Sequence, residues 1–283
     1  MFTVFFGLLA IQTHFIDALT TREPQDADLQ KRAVAYVDPA AGGGSMLDST
    51  GNGLGEPLNY GIIRIPAPNS VEVEVKSCRV CSAQFPSLAD FCLPYSDVLT
   101  DSGFLNFARS LGLYVSSPIL CFKLICLLPP THVTESSNEC LNIHLGDPQS
   151  ANLGDGNGWV NQTTELRQDF GNSELGTCLE SLTGGNHLRM FRQNGPTADS
   201  GALFLAVSQE EDVFEGHTIS PDGYDKGRDA LVATATSSQT SFDGVTYSST
   251  SEDLTGLLPT GTAGVNHDIA IDGIAKLLTV TIV

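Results

Sequence analysis

The chain is poor in positive charge. Its 283 residues hold 14 Lys and Arg against 33 Asp and Glu, a formal net charge of −19. Phosphate contacts need Lys and Arg, so this balance excludes nucleic acid as a partner and weighs against anionic membrane surfaces. Long apolar runs are also missing. The N-terminal run Met1–Ile11 and the nine apolar residues between Pro118 and Pro129 are each too short to cross a bilayer. No membrane span is therefore expected in the mature chain. The standard catalytic and ligand motifs are missing as well. Gly42-Gly-Gly-Ser45-Met lacks the last glycine of a serine nucleophile elbow. Asp101-Ser-Gly103 has no second copy to share a proton with, as an aspartic protease requires. The acidic segment around Asp155-Gly-Asn157-Gly158 carries Thr164, not Glu, where a calcium loop needs its bidentate ligand, and reads as a turn. Cys78-Arg-Val-Cys81 is not followed by a second CxxC, which argues against zinc there. No cofactor is called for.

What is present first is a route out of the cell. Residues 1–19 have the length and apolarity of a signal peptide. Residues 20–32 are polar and end in Lys31-Arg32, the dibasic site of a processing protease, so 20–32 read as a propeptide and Ala33 as the mature start. Asn161-Gln-Thr163 is the single glycosylation sequon. The expected location is secreted and extracellular, in the style of fungal extracellular proteins.

The seven cysteines are unevenly spread. Five of them, Cys78, Cys81, Cys92, Cys121 and Cys126, lie in two Pro- and Cys-rich stretches with little periodicity, at about 60–95 and 114–134. These read as irregular insertions or as retained introns. Without them Cys140 and Cys178 remain, an even count that fits one disulfide. That bridge would close a loop of about 40 residues and contribute ~3–4 kcal/mol.

The remainder patterns as an α+β domain over 33–283: a single mixed or antiparallel sheet with a few packed helices. A helix is expected over 97–112, with Asp101-Ser102 as its cap and Gly112 as its stop. Leu141–Leu145, the alternating His187–Arg192 and the continuous apolar run Gly201–Ser208 read as strands. Asn194-Gly-Pro196 joins the last two into a hairpin. Trp159–Phe170 shows mixed helical spacing. Ser220–Ala235 reads as a helix, 236–241 as a linker, and Val245–Ser249 and Leu277–Val283 as the last strands.

Polar residues recur in the apolar segments: His144, Asp147, His187, Arg189, His217, Asp222, Asp225, Arg228 and Asp229. The candidate cluster is His187, Arg189, His217, Asp225 and Arg228. Two functions follow from different uses of it. In one, these residues hold strand ends and a helix start together, and the protein binds an unknown extracellular ligand or surface without catalysis. In the other, His187, His217 and Asp225 hold a metal or relay protons in a secreted hydrolase, with Arg189 or Arg228 gripping an anionic substrate.

Asn186-His-Leu-Arg-Met-Phe191, an apolar strand ending at Ser208, then Gly216-His217 and Asp225-Lys-Gly-Arg228-Asp229 opening a helix, together resemble the LssY-like C-terminal domain family. Gly55-Glu-Pro-Leu-Asn59 looks like that family's opening strand. Phe191 stands where the family has Trp, and Asn186 where it has His. The resemblance implies a fold and a set of polar positions, not a reaction.

Overall fold

A computed structural model describes residues 36–48, 55–64, 101–115, 139–140, 143–144, 148–172 and 176–283. The expected signal peptide, the propeptide with Lys31 and Arg32, Asp147 and all of residues 65–100 and 116–138 lie outside the described residues. All described residues belong to one unit, Tyr36–Val283. No helix among them is long and apolar enough to cross a membrane.

Among the described residues the chain builds one large mixed sheet with three helices, in line with the α+β expectation. The strands are β1 (Tyr60–Arg64), β2 (Leu113–Val115), β3 (Glu139–Cys140), β4 (Ile143–His144), β5 (Ser150–Asn152), β6 (Trp159–Asn161), β7 (Thr164–Gln168), β8 (Gly185–Arg192), β9 (Leu203–Glu210), β10 (Thr240–Phe242), β11 (Val245–Thr255) and β12 (Ile274–Ile282). The helices are α1 (Asp101–Ser110), α2 (Gly176–Thr183) and α3 (Gly223–Ser237). Eight strands share the main sheet in the order β10-β11-β12-β1-β9-β8-β7-β2, and two small ladders, β3-β4 and β5-β6, stand apart. Neighbours run antiparallel except β1 and β12, which are parallel.

Alternation along the strands divides the core into two faces. Leu188 and Met190 of β8, Leu203, Leu205 and Val207 of β9 and Leu278 and Val280 of β12 turn one way. They pack under α1 through Phe104, Phe107 and Ala108, and under α3 through Leu231 and Ala235. The helical spacing of Phe104, Phe107, Ala108 and Leu111 puts those side chains on one stripe, and Gly112 at φ +79° stops the chain from continuing the helix. The opposite face carries Phe191, Phe204 and Ala206, covered by Met46, Leu58, Leu153, Val265 and Ile271 from the connecting segments.

Three local expectations change. Trp159–Phe170 is not helical; it forms β6 and β7, because alternate residues of β7 are buried charges rather than apolar groups. Residues 60–64, grouped by sequence with the first irregular stretch, are β1, held between β9 and β12. The expected linker at 236–241 ends α3 and starts β10. The β8–β9 hairpin pairs over its full length, from Gly185 opposite Glu210 to Arg192 opposite Leu203.

α3 reaches the sheet through glycine. A Cβ on Gly227 would stand 2.4 Å from the Ser208 carbonyl carbon, inside any allowed contact. Gly227→Ala should therefore lift α3 off β9 and cost about 1–3 kcal/mol by overpacking. A thermal melt should drop by roughly 2–4 °C per kcal/mol lost. A melt equal to the wild type's would mean that α3 does not seat on β9.

Candidate functional site

The register of β7, β8 and β9 sets a stripe of charge on one face. Arg167 faces His187, Glu165 faces Arg189, and His187 faces Ser208. Because side chains alternate, Glu165, Arg167, His187, Arg189, Ser208 and Glu210 all point to the same side. That side is buried: Arg167 and His187 are each 1% exposed and Arg189 is 4% exposed.

Arg167 is the hub. Its Nη1 donates to Glu180 Oε2 at 2.7 Å and to Glu210 Oε2 at 2.8 Å, and its Nη2 donates to Glu165 Oε1 at 3.0 Å. Glu180 comes from α2, whose last residue, Thr183, is followed by Gly184. There φ is +74°, and a Cβ would meet the Glu210 carbonyl oxygen at 2.5 Å, so only glycine lets the helix stop there against β9. His187 lies 3.1 Å from Glu165 Oε1 through Nε2, and through Nδ1 3.3 Å from Ser208 Oγ and 3.4 Å from Glu210 Oε1. Arg189 donates from Nη1 to both oxygens of Glu56, at 3.0 and 2.9 Å. Asp48 closes the far end: it accepts the Glu56 backbone N–H at 2.7 Å, and Gln149 Nε2 beside it donates to Glu56 Oε1 at 3.3 Å.

His217 arrives from outside the sheet. It follows the short 3-10 turn Val213–Glu215 and holds φ at +49°, in the left-handed region that histidine enters more readily than most side chains. This places Nε2 2.8 Å from Glu210 Oε2 and 3.9 Å from Glu180 Oε2.

The electrostatics follow from burial set against pairing. Burial pushes Glu165 and Glu210 up, but His187 and Arg167 beside both of them, with Arg189 at Glu165 and His217 at Glu210, hold both well below the usual carboxylate range. Burial lowers His217, yet Glu180 and Glu210 against its ring outweigh that and raise it to about 9. Asp48 has the opposite outcome: burial and the neighbouring Glu56 push it up to about 8.

The two histidines of the candidate cluster thus meet on one carboxylate, Glu210. No family model, no curated protein and no solved structure matches this chain. The site is therefore read from its own geometry.

Asp225 and Arg228 do not join the histidines. Arg228 sits in a second network on α3, bonded to Asp272 Oδ1 and Oδ2 at 2.8 and 2.9 Å, to the Ile274 carbonyl at 2.7 Å, to Asp225 at 3.1 Å and to Asp229 at 2.9 Å. It ties the start of α3 to the start of β12. The trio His187, His217 and Asp225 expected of a hydrolase is thereby split between two places. Asp222 caps α3 by position at φ +58°, with no side-chain cap bond. His144 is on β4, where side chains lie outside the described residues. Cys178 is on α2 and disulfide-bonded, while the side chain of its expected partner, Cys140 on β3, lies outside the described residues. Asn161 is exposed on β6.

Sequence reasoning missed Asp48, Glu56, Glu165, Arg167, Glu180, Glu210 and Asp272. A signal for some was available. Glu210 follows Ser208 by two residues, and Glu165 and Arg167 are two apart, the spacing of a shared strand face.

Asp48 gives a pH signature of defined sign. Its value in the fold, about 8, lies above the ordinary 3.8, so its contribution to stability is complete below 3.8 and is lost as pH rises through about 8. Glu165 and Glu210 act oppositely, losing their contribution as the solution becomes acidic. Asp48→Asn copies the protonated form. Its stability advantage over wild type should grow between pH 4 and 8 and then level off, as read by urea unfolding at several pH values. An advantage that does not change with pH would show that Asp48 ionises normally in the fold.

Proposed function

We propose that this chain is a secreted domain that acts by binding rather than by catalysis. One observation carries the reading: the histidines and arginines best suited to act on a substrate are turned inward and spent on holding strands together. Arg167 joins β7, α2 and β9; His187 joins β8 to β7 and β9; Arg228 joins α3 to β12. Among the described residues the surface carries many acidic groups and a few exposed aromatic rings.

The two rings nearest the network are the strongest candidates for contact. Phe214 is 91% exposed on the turn after β9, and Phe170 is 46% exposed on the turn after β7. Both turns border the Gly184–Gly185 junction: Gly184 abuts Glu211 and Asp212, and Gly185 abuts the Phe170 ring. Glu211, Asp212 and Glu215 surround Phe214 in sequence. An apolar pair rimmed by acid suits a cationic amphipathic segment of another protein, and the overall charge of −19 would steer such a partner toward it.

Secretion rests on the N-terminal sequence, the dibasic pair Lys31-Arg32 and the exposed Asn161 in its sequon. Membership of the LssY-like C-terminal domain family stands as part of the same proposal. It is supported by the way the residues quoted for it gather: His187, Arg189, Ser208 and His217 around one network, Asp225, Arg228 and Asp229 around the other.

The processing reading predicts a mature mass that starts at Ala33 and carries a glycan on Asn161; an intact N-terminus on the protein from culture medium would end it. For binding, a synthetic lysine–leucine amphipathic peptide is the probe. Its affinity should fall about tenfold in Phe214→Ser, the loss of one buried aromatic contact, and should weaken as salt is added. A dissociation constant indifferent to both changes would falsify the assignment of this end as the binding surface.

A further inference from the structure

We infer that Glu180, Glu210 and His217 form a site for one divalent transition-metal ion, at the end of the sheet where β9 leaves it. The inference stands apart from the binding reading and can fail without it.

The geometry comes first. One ligand atom from each of the three residues lies within 4.8 Å of the other two. His217 Nε2 is 2.8 Å from Glu210 Oε2 and 3.9 Å from Glu180 Oε2. Two donors on opposite sides of a zinc-sized ion stand up to ~4.4 Å apart, so both separations fit around a single ion.

Two further observations point to a ligand rather than to a closed ion pair. Glu180 is fully buried, yet its Oε1 has no hydrogen-bond partner. His217 Nε2 is also buried without a hydrogen bond, and it meets Glu210 Oε2 at 2.8 Å as an ion pair. Buried polar atoms are rarely left so, and here two of them belong to the same three residues. A cation held by the Glu180 carboxylate and His217 Nε2 would give each residue a further partner.

The surroundings hold the ligands in place. Arg167 Nη1 grips the Oε2 atom of each glutamate, and His187 Nδ1 lies 3.4 Å from Glu210 Oε1. Such outer contacts orient metal ligands. Two carboxylates and one imidazole suit Zn²⁺ or Mn²⁺ better than a soft metal that seeks thiolates.

His217→Asn is the informative variant. Asn tolerates the left-handed backbone and removes the ring nitrogen. Calorimetric titration of the full chain with Mn²⁺, and separately with Zn²⁺, should give one ion per chain for the wild type. In His217→Asn the affinity should fall at least tenfold while the far-ultraviolet circular dichroism stays the same. Failure of the wild type to take up Mn²⁺ at this stoichiometry, or equal Mn²⁺ affinity in the variant, overturns the site. Zinc uptake without Mn²⁺ uptake, unchanged in the variant, would place that ion on cysteine thiols and overturns it too. Should His217→Asn not fold, the wild type decides alone. Equimolar Mn²⁺ must broaden the His217 ring resonances beyond detection, and sharp signals at that point refute the inference.

Discussion

The three-way grip of Arg167 on Glu165, Glu180 and Glu210 is the contact on which this end of the molecule depends. A guanidinium inside a sheet loses its water, and that loss is recovered only if every nearby charge is well placed. Three carboxylates from β7, α2 and β9 meet it, so the same group fixes a helix, a strand edge and a strand end at once. Remove the arginine and three buried carboxylates face one another with less to balance them. The arrangement is demanding as well as stabilising, since a one-residue slip of β7 against β8 would turn Glu165 and Arg167 to the wrong face. The network thereby specifies register, which an apolar stripe of interchangeable side chains would do less strictly.

A second network does a comparable job with a different exposure. Arg228 is buried, but its partners Asp225, Asp229 and Asp272 reach the surface. Its fork on Asp272 and its bond to the Ile274 carbonyl fasten α3 to the strand that pairs with β1. One network organises the β7-β8-β9 end of the sheet, and the other organises the helix that covers its apolar face. The polar residues in the apolar segments are divided between these two tasks.

Much of this was legible in the sequence where local chemistry and final environment agree. β8, β9, α1 and α3 announce themselves because their apolar residues recur at the spacing of the element and end up buried. β7 was hidden because its inward residues, Glu165 and Arg167, are charged, so that a true two-residue alternation looks like an exposed segment. β1 was hidden by its neighbours in sequence: five residues that run straight into a Cys- and Pro-rich stretch carry too short a pattern to stand out, and their strand character comes from β9 and β12 on either side. His187, Arg189 and His217 could be picked out because histidine and arginine are unusual among apolar residues. Of their carboxylate partners only Glu165 and Glu210 carried a signal, their two-residue spacing from Arg167 and Ser208, since glutamate in an acidic chain is ordinarily solvated. Asp225 fell to the other network because the helix turn that carries it points at β12, a direction no local pattern encodes.

The parallel pairing of β1 with β12 has a consequence for how the chain reaches this state. Tyr60 lies opposite Lys276, so the middle of the sheet joins residues separated by more than two hundred positions. The β8–β9 hairpin can form as soon as it is made, and α3 can settle on it. β1, however, gains its second neighbour only when the last strand emerges. Until then one side of the central strand is an open row of amide and carbonyl groups, the kind of edge that recruits other chains. Assembly of this sheet is thus tied to the arrival of β12, and slow ordering is built into its topology.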